Sequence, residues 1–343
     1  MIKFSILKNR LLIIFFGMTL VFLAAALLVF LNRENGKDFS SEKILPNDPA
    51  KSGGRNMEEK VFPRHPIKLL FAGDMMFDRY IREAAGKYGR GDYAYALEPL
   101  KNELARYDLV VGNLEGPITK NESVSQDSAM DEKKNLIFTF DPAVANVLSE
   151  NNIKTVSLGN NHILNQGEAG VEQTKKYLDE AGIKYFGDTG TEENESISQT
   201  VGGTKIALIN YNYSIPGSSE KAIGDIKKAR GQSDIIIVYP HWGTEYEIGD
   251  PGESVRFLAR RFIDAGADAV IGTHPHVIQS SETYEGKKIY YSLGNFIFDQ
   301  YFQKETMEGL GVEIAVQPDL KMEYFEKKFV MNRKGQTELR SEK

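Results

Sequence analysis

Past residue 66 the chain alternates between short apolar runs and stretches whose apolar residues recur every three or four positions. The runs are KLLFAG (68–73), DLVVGN (108–113), KTVSLGN (154–160), KIALINYN (205–212), DIIIVYP (234–240), DAVIGT (268–273) and KIYYSLGNF (288–296). Short, apolar on successive residues and bounded by turn-forming Gly, Asn or Pro, they predict strands buried on both faces. The stretches Glu168–Ala181 and Gly252–Ala265 predict helices; in the second, Val255, Leu258, Ala259, Phe262 and Ile263 form one apolar stripe. Alternation of the two patterns predicts an α/β sheet domain. Residues 309–319 and 321–331 read as a closing hairpin, followed by a polar tail over 332–343.

A different pattern opens the chain. Leu11 to Leu31 is an unbroken run without a charge, long enough as a helix to cross about 30 Å of hydrocarbon. Lys3, Lys8 and Arg10 precede it and no acid does, which predicts a cytoplasmic N-terminus and an extracytoplasmic remainder. The small residues Ala24, Ala25 and Ala26 sit inside the run rather than after it. An uncleaved membrane anchor is therefore expected rather than a signal peptide. Residues 32–66 are polar, with four prolines and three glycines, and read as a flexible tether. The expected organisation is thus 1–31 cytoplasmic stub and anchor, 32–66 tether, 67–331 domain and 332–343 tail.

Charge and composition narrow the chemistry. The formal charge of −6 becomes −9 once Lys3, Lys8 and Arg10 are set aside, a poor surface for nucleic acid, whose binding depends on phosphate neutralisation. The chain has no cysteine, which excludes disulfides, thiolate metal sites and a thiol nucleophile.

The candidate chemistry lies at the ends of the apolar runs. Asp74 comes directly after the first, Asn113 and Glu115 close the second, and Asn160-Asn161-His162 close the third. His241 succeeds the run at 234–240, and His274-Pro275-His276 the run at 268–273. Singly, each has an ordinary explanation as a cap, a turn or a packed side chain. Together they concentrate metal-capable groups at the carboxyl ends of strands, where open α/β sheets bind ligands. Four of the five histidines stand there; the fifth, His65, lies in the tether. Pro275 favours an extended His274, and alternation would then point both imidazoles to one side, one for each of two ions. Mixed imidazole, carboxylate and amide donors suit Mn, Zn or Fe better than calcium. The polar stretch 116–135 after Glu115 is a candidate lid, with Lys120, Lys133 and Lys134 offering positive charge to an anionic ligand.

In this order, GDMMFDR, GNLEGPIT, SLGNNHILNQG, HWGTEY, GTHPHVIQ and YSLGNFIFDQ resemble the CapA family of poly-γ-glutamate capsule synthesis proteins, within the calcineurin-like metallophosphoesterase superfamily. The resemblance spans roughly residues 67–300. It implies a sandwich of two mixed sheets flanked by helices, after the N-terminal transmembrane helix, and one or two divalent metal ions. It also implies that Asp74 and His276 serve a first ion, Asn161, His241 and His274 a second, and that Glu115 bridges them. His162 stands where the superfamily has a histidine that stabilises charge or protonates a leaving group. Asn113, Asn295 and Asp299 are looser site candidates. Two departures stand out: Met76 occupies a position usually held by a ligating histidine, and Glu115 replaces an aspartate. The expected function is a membrane-anchored component of poly-γ-glutamate synthesis or export. The partners implied are the anionic polymer, other membrane capsule-synthesis subunits and the bilayer around residues 11–31. The alternative is a metal-dependent hydrolase of a phosphoester or γ-amide bond.

Overall fold

Strand alternation sorts the apolar residues of each central run onto two faces, and both faces are covered. In β1 (Ile67–Met75), Leu69 and Phe71 face one apolar layer while Leu70 and Ala72 face another. In β7 (Ile235–Val238), Ile235 and Ile237 share the layer of Leu69 and Phe71, while Ile236 and Val238 turn to a third. The shared layer is the contact between two sheets, and each outer layer is closed by helices. This is why the runs are continuously apolar rather than alternating. Phe71 and Ile237 are fully buried there, and truncating either to alanine would cost about 2–5 kcal/mol.

A computed structural model of the protein describes residues 66–187, 189–190 and 196–340. The predicted anchor at 11–31 and the tether up to residue 65 lie outside the described residues. Among the described residues no helix is long and apolar enough to cross a membrane.

The first sheet runs β14 (Thr337–Leu339), β13 (Met322–Met331), β12 (Glu308–Val316), β1, β2 (Leu109–Leu114), β3 (Thr155–Ser157) and β4 (Lys184–Phe186). Strands β1 to β4 are mutually parallel, and β12 joins β1 antiparallel. A short β11 (Asn295–Ile297) pairs parallel with the end of β1. The second sheet runs β5 (Ser196–Val201), β6 (Thr204–Ile209), β7, β8 (Ala269–Ile271), β10 (Lys287–Tyr290) and β9 (Ser281–Tyr284). Its four inner strands are parallel and its two edges antiparallel. Both sheets are therefore mixed.

The predicted helices appear as Gly167–Glu180 and Glu253–Ala265. Two readings need correction. The run 288–296 is not one strand: it leaves the second sheet after Tyr290 and enters the first at Asn295. The stretch read as a polar tail contributes β14, which pairs with β13.

Crossing between sheets demands close backbone approach. A β-carbon on Gly73 would lie 1.8 Å from the carbonyl oxygen of Gly294. Only glycine lets β11 sit beside β1, and that pairing delivers Asn295 to the level of Asp74.

Candidate metal centre

The carboxyl ends of β1, β2, β7 and β8 and the start of β11 meet at one place, and the polar residues at the ends of the apolar runs converge there. Asp74, Asn113, Glu115 and His241 are fully buried; His274 and His276 are 2% exposed. Among the described residues, two sets of donors share Glu115. Glu115, His241 and His274 can place one ligand atom each within 4.8 Å of one another, and so can Asp74, Glu115 and His276. Glu115 belongs to both, so its carboxylate lies between two potential ion positions. The half-buried Asn161 joins the first set, its Oδ1 lying 2.9 Å from Nε2 of His241.

Neighbouring amides hold these groups in place. The Asn113 Nδ2 amide donates to Asp74 Oδ1 at 2.8 Å and lies 3.3 Å from Glu115 Oε2 and 3.2 Å from Nδ1 of His241. Asn160 Nδ2 donates in turn to Asn113 Oδ1. Asn113 thus positions three site groups while offering no free atom to an ion. Asn295 does the same for His276. Its Nδ2 donates to Gln300 Oε1 and to the Thr306 carbonyl, so its Oδ1 must accept from Nδ1 of His276 at 2.9 Å. That fixes the tautomer and leaves the Nε2 lone pair, 3.5 Å from Glu115 Oε1, for an ion.

His274 and His276 do not sit in the extended geometry that Pro275 suggests. Their φ angles are 99° and 59°, in the region that residues with a β-carbon avoid. The His274 amide donates to Asp74 Oδ2 at 3.1 Å, a tertiary bond that sets the backbone in place of the local preference. The two rings still stand 6.0 Å apart, centroid to centroid, and each joins a different one of the two sets that share Glu115.

His162 is buried and stacked on Phe138 at 4.4 Å. Its Nδ1 faces two acceptors, the Leu136 carbonyl and Asn165 Oδ1, and so carries the proton. Nε2 is then bare and lies 3.9 Å from Glu115 Oε1. Burial pushes the His162 pKa down to about 4, so near neutrality it presents an acceptor to the centre and not a proton. Asp299 stands apart from the cluster: it pairs with Arg79 and accepts from the Tyr80 amide. Met76 is fully buried in the apolar layer beside the helices, its sulfur accepting the Asp78 amide at 2.9 Å.

The electrostatics call for a cation. Burial, followed by the negative charges of Asp74 and Glu245, pushes the Glu115 carboxyl well above its usual range. Burial pushes His274 down to about 3 and His241 well below its usual value, so the imidazoles keep free lone pairs. Among the described residues, Glu115 Oε1 and His274 Nδ1 are buried with no hydrogen-bond partner, a costly state for polar atoms unless an ion satisfies them. The donor chemistry and these orphaned atoms fit a divalent metal.

Three participants are not predicted by the sequence pattern, although two of them lie inside its motifs. Glu245 approaches His274 and His276. Arg79, with φ 48°, lies over Phe138 and Phe298 and donates to Asn135 Oδ1. Tyr213, just beyond the run at 205–212, packs 4.6 Å from His274. The 116–135 stretch is tied down on its inner side, where Ser125 donates to Asp78 and Asn135 accepts from Arg79. Lys120, Lys133 and Lys134 are exposed.

Fold and site define an α/β protein of two mixed sheets with a buried imidazole–carboxylate centre suited to divalent cations. The chain belongs to the bacterial capsule synthesis protein family PGA_cap, which matches residues 68–300. It is 31% identical over 261 residues to the PGA biosynthesis protein CapA of Bacillus subtilis (strain 168), covering 70% of this chain and 66% of the relative. It is 30% identical over 254 residues to the capsule biosynthesis protein CapA of Bacillus anthracis, covering 68% of this chain and 60% of the relative. The alignments therefore take in less than two thirds of those relatives. Among solved structures, a novel phosphatase of Mycoplasma pneumoniae aligns with TM-score 0.47 at 17% identity, over 76% of this chain and 93% of that one.

Proposed function

We propose that this protein is a membrane-anchored, extracytoplasmic component of poly-γ-glutamate capsule synthesis or export. Its domain, of calcineurin-like metallophosphoesterase type, holds one or two ions of Mn, Zn or Fe. Asp74, Glu115 and His276 form one position, and Glu115, Asn161, His241 and His274 the other. The observation that carries this reading is the pair of buried, unpartnered donors, Glu115 Oε1 and His274 Nδ1, inside a chain of the PGA_cap family. Bound divalent ions would supply positive charge to an anionic polymer whose approach the negative surface does not assist. The named relatives act in poly-γ-glutamate or capsule biosynthesis, and the run at 11–31 would anchor the domain beside membrane-bound synthesis subunits.

A second reading, metal-dependent hydrolysis of a phosphoester or γ-amide bond, draws support from His162. An unprotonated Nε2 facing the centre can take a proton from a reacting group, a capacity that polymer binding alone does not require.

Full-length protein purified in detergent should contain metal, and His274→Ala should lower metal per chain more than Asp74→Ala. Cells lacking the gene should regain surface poly-γ-glutamate with the wild-type copy and not with His274→Ala. Unchanged metal content in His274→Ala would refute the centre. Turnover of a diester or γ-glutamyl amide that vanishes in His162→Ala, with metal retained, would establish the hydrolase.

A further inference from the structure

The two donor sets are unequal. Glu115, Asn161, His241 and His274 offer four side chains, while Asp74, Glu115 and His276 offer three. A carboxylate nearby redresses this. Glu245 can place an oxygen within 4.8 Å of a nitrogen of His274 and a nitrogen of His276, all three atoms mutually within that distance.

The loop that carries Glu245 is clamped on both sides. Before it, the His241 amide donates to the Tyr211 carbonyl and the Trp242 amide to that of Thr273. After it, the Tyr246 amide donates to the Pro275 carbonyl at 2.9 Å, between the two histidines. The Tyr246 ring stacks over His276, and its hydroxyl accepts from Gln300 Nε2 at 3.1 Å. Gln300 in turn accepts from Asn295, the residue that fixes the His276 tautomer. The circuit from His276 through Asn295, Gln300 and Tyr246 thus closes on itself, with Glu245 at its edge. Tyr246 sits at φ 65°, so three left-handed residues with β-carbons, Tyr246, His274 and His276, converge here. Such strain persists only where surrounding contacts impose it, and it concentrates at functional sites.

The geometry points to Glu245 as a further metal ligand, joining His276 and reaching toward His274 from the side of the 241–249 loop. This rests on the metal centre proposed above. A carboxylate has two oxygens and can serve ions at both imidazoles, as Glu115 can. A divalent transition-metal ion at His276 then gains a fourth side-chain donor, the number typical of tightly held sites.

Mn²⁺ binding to the EDTA-stripped, full-length protein in detergent tests this, with wild type, Glu245→Ala, Glu247→Ala and Glu115→Ala compared by equilibrium dialysis. Glu245→Ala should weaken at least one ion by about tenfold or more, since even outer partners of ligands have effects of that size. Glu247→Ala, on the same loop, should bind as wild type. Unchanged binding in Glu245→Ala beside impaired binding in Glu115→Ala overturns this inference and leaves the centre intact. Unchanged binding in Glu115→Ala as well removes the centre itself. Equal weakening in Glu247→Ala would assign the effect to loop charge and also overturn the inference.

Discussion

Asn295 shows how a residue outside the donor sets can govern one. Its amide is saturated by Gln300 and Thr306, so its oxygen has no choice but to hold the Nδ1 proton of His276. Asn295→Leu, similar in size, should lower Mn²⁺ affinity by about 10- to 100-fold while every donor remains. The check is a Mn²⁺ titration beside a melting curve, and unaltered affinity would show that His276 orients itself. The convergence of Asp74, Glu115, His241, His274 and His276 is legible in the sequence because each stands at or just past the end of an apolar run, where strand ends place ligands. The approach of Glu245 to His274 and His276 is not, since the HWGTEY segment has no periodicity to say which of its side chains nears them. The left-handed φ of His274 was hidden as well, because its amide is bonded to Asp74, a partner 200 positions away.

At the scale of elements, most strands legible in the sequence are buried on both faces; β13, mostly half-buried or exposed, is legible instead as the second half of the closing hairpin. The strands that escape the sequence lie at or near sheet edges: β5, with burial alternating between half-buried and exposed, β9, and the three-residue β4 and β14. Their sequences, such as SISQTV and SETY, are too polar or too short to separate from loops. The division of 288–296 into β10 and β11 is hidden for another reason. Both halves are apolar, and only the approach of Gly294 to Gly73 reveals the crossing. Gly73→Ala must push β11 away from β1, and should cost about 3 kcal/mol or more through overpacking against backbone. Urea unfolding measures this; a midpoint within experimental error of wild type would mean that the two strands part without penalty. Because β11 carries Asn295, metal affinity should fall together with stability.

For the whole molecule, the proposed anchor would fix the orientation of the domain. Three cations before residue 11 and none of the 48 acids among the first 31 residues set the direction in which the chain would cross a bilayer. Protease added to intact cells with the wall removed should digest the domain after Leu31. A protected domain, or a mature protein starting near Ala26, would defeat the proposed anchor. The same orientation would place the centre where extracellular chelators reach it without entering the cell.

The position of β1 also has a consequence in time. It is the first strand of the domain to be synthesised, yet its antiparallel neighbour β12 ends at Val316, more than two hundred residues later. At about 5–20 residues per second, translation leaves one edge of this apolar strand open for roughly ten seconds to a minute. During that interval Leu69, Leu70 and Phe71 are an invitation to aggregation, and Asp74 waits for a His276 that does not yet exist. Ion capture at the proposed centre would therefore be a late event in biogenesis, and a chain cut short before β11 would expose an unfinished, sticky sheet.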